Sequence, residues 1–94
     1  MTFTPKQQKF LSEQDKTKIP SLLGEVLTEL NIPWNSTNSL IHIKTRLPNF
    51  SFDFWASTEK YRLNFKNERI SFRKERKELL NFLTLVAKEI NHVR

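Results

Sequence analysis

The sequence predicts an α+β fold of two layers, and three observations predict it. Apolar residues recur at helical spacing as far as Leu30, alternate with polar ones from Leu40 to Arg73, and return to helical spacing beyond Lys74. Strands joined by short turns form an antiparallel meander, and the phenylalanine-rich face of such a sheet has to be covered. The expected architecture is a helical N-terminal part at 1–33, a four-stranded antiparallel meander sheet at 40–73, and a C-terminal helix at 74–92 packed on one sheet face, in a single domain of 94 residues.

Thr4-Pro5, with Gln7 three residues after Thr4, reads as an N-cap, a proline at the first helical position and a capping-box partner. The short helix they open runs to about Gln14 and buries Phe10 and Leu11. After the polar link Asp15–Lys18, Pro20 opens a second helix with the stripe Leu22, Leu23, Val26, Leu27 and Leu30, stopped by Asn31 and Pro33. Gly24 weakens this helix by about 1 kcal/mol relative to alanine, a cost that close packing against a neighbour would justify. The segment Trp34–Ser39 is a loop by composition, with Trp34 anchoring it to the core.

Beyond the loop the period is two. Ile41, Ile43, Thr45 and Leu47 share one face and His42, Lys44 and Arg46 the other, and Pro48-Asn49 supplies a turn. Phe50, Phe52 and Phe54 then oppose Ser51, Asp53 and Trp55, and Ala56–Glu59 turns the chain again. Tyr61, Leu63 and Phe65 face inward while Lys60, Arg62, Asn64 and Lys66 face outward. A two-residue turn at Asn67-Glu68 returns the chain as Arg69–Arg73, opposing Phe65 to Ile70, Leu63 to Phe72, Lys66 to Arg69 and Arg62 to Arg73. From Lys74 the last helix carries Leu79, Leu80, Phe82, Leu83, Val86, Ala87, Ile90 and Val93, a stripe broad enough to cover the phenylalanine face.

Composition removes several function classes. The absence of cysteine excludes disulfides, thiolate chemistry and cysteine-based zinc sites, and it fits a reducing compartment. With Gly24 as the only glycine there is no Gly-rich loop to cradle nucleotide phosphates, so no cofactor is expected. The N-terminus lacks an apolar h-region, and no apolar run approaches the about 20 residues that span a bilayer. A soluble, cytoplasmic protein without a membrane partner is expected.

Charge is the most informative signal. Residues 1–40 are neutral, with four lysines against four acids, so the formal +6 lies wholly in 41–94. Lys60, Arg62, Lys66, Arg69, Arg73, Lys74, Arg76 and Lys77 crowd one short stretch against Glu68 and Glu75. Together with Lys44 and Arg46 they predict a basic surface for a polyanion, because neutralising fixed anionic charge releases counterions. Like charges opposed across strands, as expected for Arg62/Arg73 and Lys66/Arg69, destabilise a sheet, which a binding role would explain. The plainer reading is a solvated face whose lysines discourage edge aggregation. Arg73, Lys74, Arg76 and Lys77 also surround a helix N-terminus, an arrangement suited to a phosphate or carboxylate unless Glu75 and Glu78 already supply that charge.

Trp55 falls on the polar side of its strand, where an aromatic ring stacks bases in single-strand binding modules. Alternatively it folds over the sheet rim or packs beneath the N-terminal helices. Catalysis has little support, and no enzyme is expected. His42 and His92 lie on different elements, without the neighbours of a nucleophilic or metal site. Asp53, Glu59 and Lys60 loosely suggest a metal-dependent nuclease, but the Glu-x-Lys spacing is absent because Glu59 and Lys60 are adjacent.

The segment Phe52-Asp53-Phe54-Trp55-Ala56-Ser57-Thr58-Glu59-Lys60-Tyr61-Arg62 resembles a hairpin of small, uncharacterised phage-encoded proteins, in which an aromatic pair precedes Pro-Ser/Thr-Thr-Gly-Lys and a further aromatic. Here Ala56 replaces the proline and Glu59 the glycine. The resemblance implies a phage or mobile-element origin, where small cofactor-free proteins act by binding nucleic acid or a host protein that handles it, as anti-CRISPR inhibitors do. The expected function is thus a non-enzymatic module that engages nucleic acid through Lys44, Arg46, Trp55, Lys60, Arg62, Lys66, Arg69, Arg73, Lys74, Arg76 and Lys77. The alternative is an inhibitor that uses this surface against a host nuclease or defence complex.

Overall fold

Three helices lie against one face of a five-stranded antiparallel sheet. The computed structural model describes residues 3–37, 41–73 and 75–92, without the side chains of Phe72, Arg73 and His92. Leu40, Lys74 and Val93, assigned above to strand or helix, lie outside the described residues.

Helix α1, Pro5–Ser12, starts on the expected capping box. Thr4 Oγ1 accepts from the Gln7 amide at 3.2 Å and Gln7 Oε1 accepts from the Thr4 amide at 3.2 Å. It ends two residues before Gln14, where Glu13 turns extended. The Asp15 carboxylate then caps a 3₁₀ turn at Lys16–Lys18, accepting from the Thr17 amide at 3.0 Å and its hydroxyl at 2.7 Å. These hydrogen bonds hold the Asp15 carboxyl below its ordinary pKa. Helix α2, Ile19–Glu29, buries Leu22, Leu23, Val26 and Leu27, and Asn31 leaves it with φ 60°. A Cβ on Gly24 would sit 2.6 Å from Trp34 Cζ2, so the glycine is where the indole lies against the helix. The indole N–H donates to Thr28 Oγ1 at 3.0 Å.

The strands are β1 (Asn35–Thr37), β2 (His42–Leu47), β3 (Phe50–Trp55), β4 (Lys60–Phe65) and β5 (Glu68–Arg73), paired in chain order as a meander. Two expectations need correction. The sheet has five strands, because Asn35-Ser36-Thr37, read as loop, pairs with β2 through Asn35↔Lys44 and Thr37↔His42. Its three polar residues carry no strand signal, and β2 supplies the reason to extend. The last hairpin turns at Lys66-Asn67, where φ is 51° and 70°, the positive values of the turn that matches strand twist. Phe65 therefore pairs with Glu68, Leu63 with Ile70, Tyr61 with Phe72 and Lys60 with Arg73. The register differs by two residues from the expected one. The shift is even, so the alternation along the strands is unchanged, but the opposed pairs Arg62/Arg73 and Lys66/Arg69 do not form.

Helix α3, Arg76–His92, covers the apolar face. Leu79, Leu80, Leu83 and Val86 join Ile43, Phe52, Phe54, Tyr61, Leu63, Phe10, Leu23, Val26 and Leu27 in one buried cluster. Phe54 stacks on Tyr61 with centroids 4.9 Å apart, and Phe82 meets Phe65 edge-on at 6.1 Å. Thr45, a polar residue on this face, donates its hydroxyl to the Pro33 carbonyl at 2.7 Å.

Candidate functional site

The meander assembles the opposite, polar face in rows that cross the strands. One row is Thr37, His42, Trp55, Lys60 and Arg73; the next is Asn35, Lys44, Asp53, Arg62 and Ser71; the third is Arg46, Ser51, Asn64 and Arg69. Asp53 is the one acid in these rows. It stands directly between Lys44 and Arg62 and diagonally from His42 and Arg46.

The diagonal neighbours are its partners. Asp53 Oδ1 lies 2.8 Å from His42 Nε2 and 2.8 Å from an Arg46 terminal nitrogen, with the carboxylate side chain only 14% exposed. The other terminal nitrogen of Arg46 donates to the Thr45 and Phe52 carbonyls at 2.9 and 3.2 Å. Arg46 is thus engaged within the sheet, and its guanidinium balances the Asp53 carboxylate.

Trp55 closes β3, the central strand, in the end row of the face. His42, its direct partner on β2, stacks on the indole with centroids 5.1 Å apart and planes 11° from parallel. From β4, Arg62 brings its guanidinium carbon to 5.3 Å from the indole centroid. Because β2 and β4 flank β3, the imidazole and guanidinium approach the ring from opposite sides. Of the positions weighed for Trp55, the structure gives the solvent-side sheet face, with both ring surfaces covered. Among the described residues Lys44, Lys60, Arg62 and Arg69 make no ion pair within 4.0 Å.

No protein-family model, curated protein or solved structure matches the chain.

The remaining basic residues lie elsewhere. Lys66 sits in the β4–β5 turn and pairs with Glu89 of α3 at 3.3 Å, away from the polar rows. Arg76 turns inward: it pairs with the buried Glu59 at 3.1 Å and donates to the Phe10 and Glu13 carbonyls at 3.0 and 2.6 Å. One guanidinium thereby ties the start of α3 to the end of α1 and the β3–β4 turn. Lys77 lines a cleft of about 690 Å³ beside that junction, with Lys16, Glu75 and Glu78 among its walls. A hydrogen bond with Glu78, and repulsion from it, raise the Glu75 carboxyl above its ordinary pKa. The start of α3 therefore carries acids of its own. Lys74 and the Arg73 side chain lie outside the described residues.

Asp53 and Glu59 are not brought into a shared metal site, since Asp53 is held by His42 and Arg46 and Glu59 by Arg76. Among the described residues no group of three or more His, Asp or Glu could hold a metal ion. No described helix is long and apolar enough to cross a membrane. Sequence reasoning missed the role of His42. The signal was available, because the two-residue turn at Pro48-Asn49 fixes the register that sets His42 opposite Trp55 and diagonal to Asp53.

Proposed function

We propose that this chain is a non-enzymatic nucleic-acid-binding module that takes its partner on the polar face of the sheet. One observation carries the reading: Lys44, Lys60, Arg62 and Arg69 share that face without an ion pair among the described residues, while the one acid in its rows is already paired with Arg46 and hydrogen-bonded to His42. Cations so grouped on a rigid sheet raise the local potential, and phosphates that displace counterions there gain affinity. Lys66, Arg76 and Lys77 take no part in this surface.

The test is fluorescence anisotropy with a labelled, mixed-sequence oligonucleotide over a range of salt. Binding should weaken with a log–log slope of about −0.7 to −0.9 per phosphate contacted, and Lys44→Gln with Arg62→Gln should remove about two contacts from that slope. Lys66→Gln should leave it unchanged. Absence of binding at low salt would overturn the reading, and recovery of an acidic host protein by the same face would replace it with the inhibitor.

A further inference from the structure

Resting on that reading, we infer that the face takes duplex nucleic acid through its phosphates alone, and that Trp55 is a positioning residue for Arg62 rather than a base-stacking platform. Single-strand binders draw on exposed aromatic rings, worth roughly 5- to 150-fold in affinity per stacked base. Among the described residues this face offers no unoccupied indole, phenyl or phenol ring. Trp55 is covered by His42 at 5.1 Å on one side and by the Arg62 guanidinium at 5.3 Å on the other. Phe10, Phe50, Phe52, Phe54 and Tyr61 are buried in the core, and Phe3, Trp34, Phe65 and Phe82 pack against it.

What remains is charge in fixed places. Lys44 and Arg62 stand two strands apart with Asp53 between them, a separation of roughly 9.5 Å across the sheet. Arg62 is itself constrained, with its Nε buried and without a hydrogen-bond partner among the described residues, so the terminal nitrogens are the ones left to meet a ligand. Guanidinium nitrogens held in one plane match a phosphate better than a free lysine does. A rigid array of this kind suits the denser and stiffer phosphates of a duplex, which release more counterions per contact than a single strand.

The experiment compares one sequence as duplex and as single strand, by anisotropy at equal salt, for the wild type, Trp55→Ala, Arg62→Ala and the double variant. The wild type should bind duplex more tightly. Trp55→Ala should weaken both forms equally, by about two- to fivefold, and should cost nothing further once Arg62 is alanine. Trp55→Leu, which refills the space without a π face, should behave as Trp55→Ala and separates this effect from misfolding. A wild-type preference for single strand, a Trp55 effect confined to single strand, or losses that add in the double variant would each overturn the inference while leaving nucleic-acid binding in place. Absence of binding to both forms would instead remove the reading on which it rests.

Discussion

Arg62 and Trp55 sit diagonally on neighbouring strands, with the guanidinium carbon 5.3 Å from the indole centroid. The contact aims one cation of the polar face, and on the far side of the same ring His42 reaches Asp53 at 2.8 Å. Tryptophan, histidine, aspartate and arginine therefore form one connected group spanning the three central strands.

Asp53 holds that group together and opposes its charge. Asp53→Asn keeps a hydrogen-bonding side chain in the position but removes the only negative charge in the rows. Duplex binding at low salt should tighten by roughly two- to fivefold and the gain should fade as salt rises, in an anisotropy titration. Neither protein should cleave DNA or RNA with magnesium or manganese. Cleavage that depends on Asp53 would show that the carboxylate serves chemistry instead.

Arg76 and Glu59 pair at a largely enclosed junction, with Glu59 buried and Arg76 half-buried, their side chains 8% and 16% exposed. Arg76→Met leaves the Glu59 carboxylate and two carbonyls without their donor, and should cost about 3–5 kcal/mol in urea unfolding. Glu59→Gln should cost less, since an amide still accepts from Arg76. Equal and small losses would mean that the junction is not held by this pair.

Gly24→Ala would raise intrinsic helix propensity by about 1 kcal/mol, yet the new methyl meets Trp34 Cζ2 at 2.6 Å. The clash should win, lowering stability by about 1–3 kcal/mol in a thermal melt. A stabilised variant would show that the indole does not rest on α2.

Tyr61 is fully buried, and its hydroxyl has no hydrogen-bond partner among the described residues. Burial pushes its pKa well above the ordinary value and the Glu59 carboxylate adds to the shift, while the nearby Arg76 guanidinium offsets part of it. Below the ordinary tyrosine pKa of about 10 the hydroxyl is neutral in both states and costs nothing in linkage. As pH rises beyond it the unfolded chain ionises first, so stability falls. Tyr61→Phe should match or exceed wild-type stability at neutral pH, by up to about 1 kcal/mol, and should flatten the loss at alkaline pH. A variant that melts lower at neutral pH would reveal a partner for the hydroxyl.

The apolar architecture was legible because period and punctuation agree. Phe50, Phe52 and Phe54 alternate with Ser51, Asp53 and Trp55, and Thr4 with Gln7 caps α1 as expected. What escaped was non-local. Asn35-Ser36-Thr37 becomes a strand only because β2 offers it an edge. Lys66 is an unusual residue for a positive φ, so the sequence points to a turn one residue later than the real one, and one residue in the turn is two in the register. A run of basic residues does not say which of them turns inward, and Arg76 does so because α1 and its C-cap each present a carbonyl and the β3–β4 turn a carboxylate. The polar rows could be collected from alternation alone, whereas the His42–Asp53–Arg46 group and the covered Trp55 ring depend on diagonal contacts across strands.

The most direct test of the polar face as the binding surface is a duplex titration followed by nitrogen-15 NMR. Shifts should centre on the backbone amides of Lys44, Asp53, Lys60, Arg62 and Arg69 and on the Trp55 indole N–H, leaving Lys16, Lys77 and α3 unmoved. Shifts that centre on the cleft between α1 and the start of α3, with the sheet silent, would contradict it.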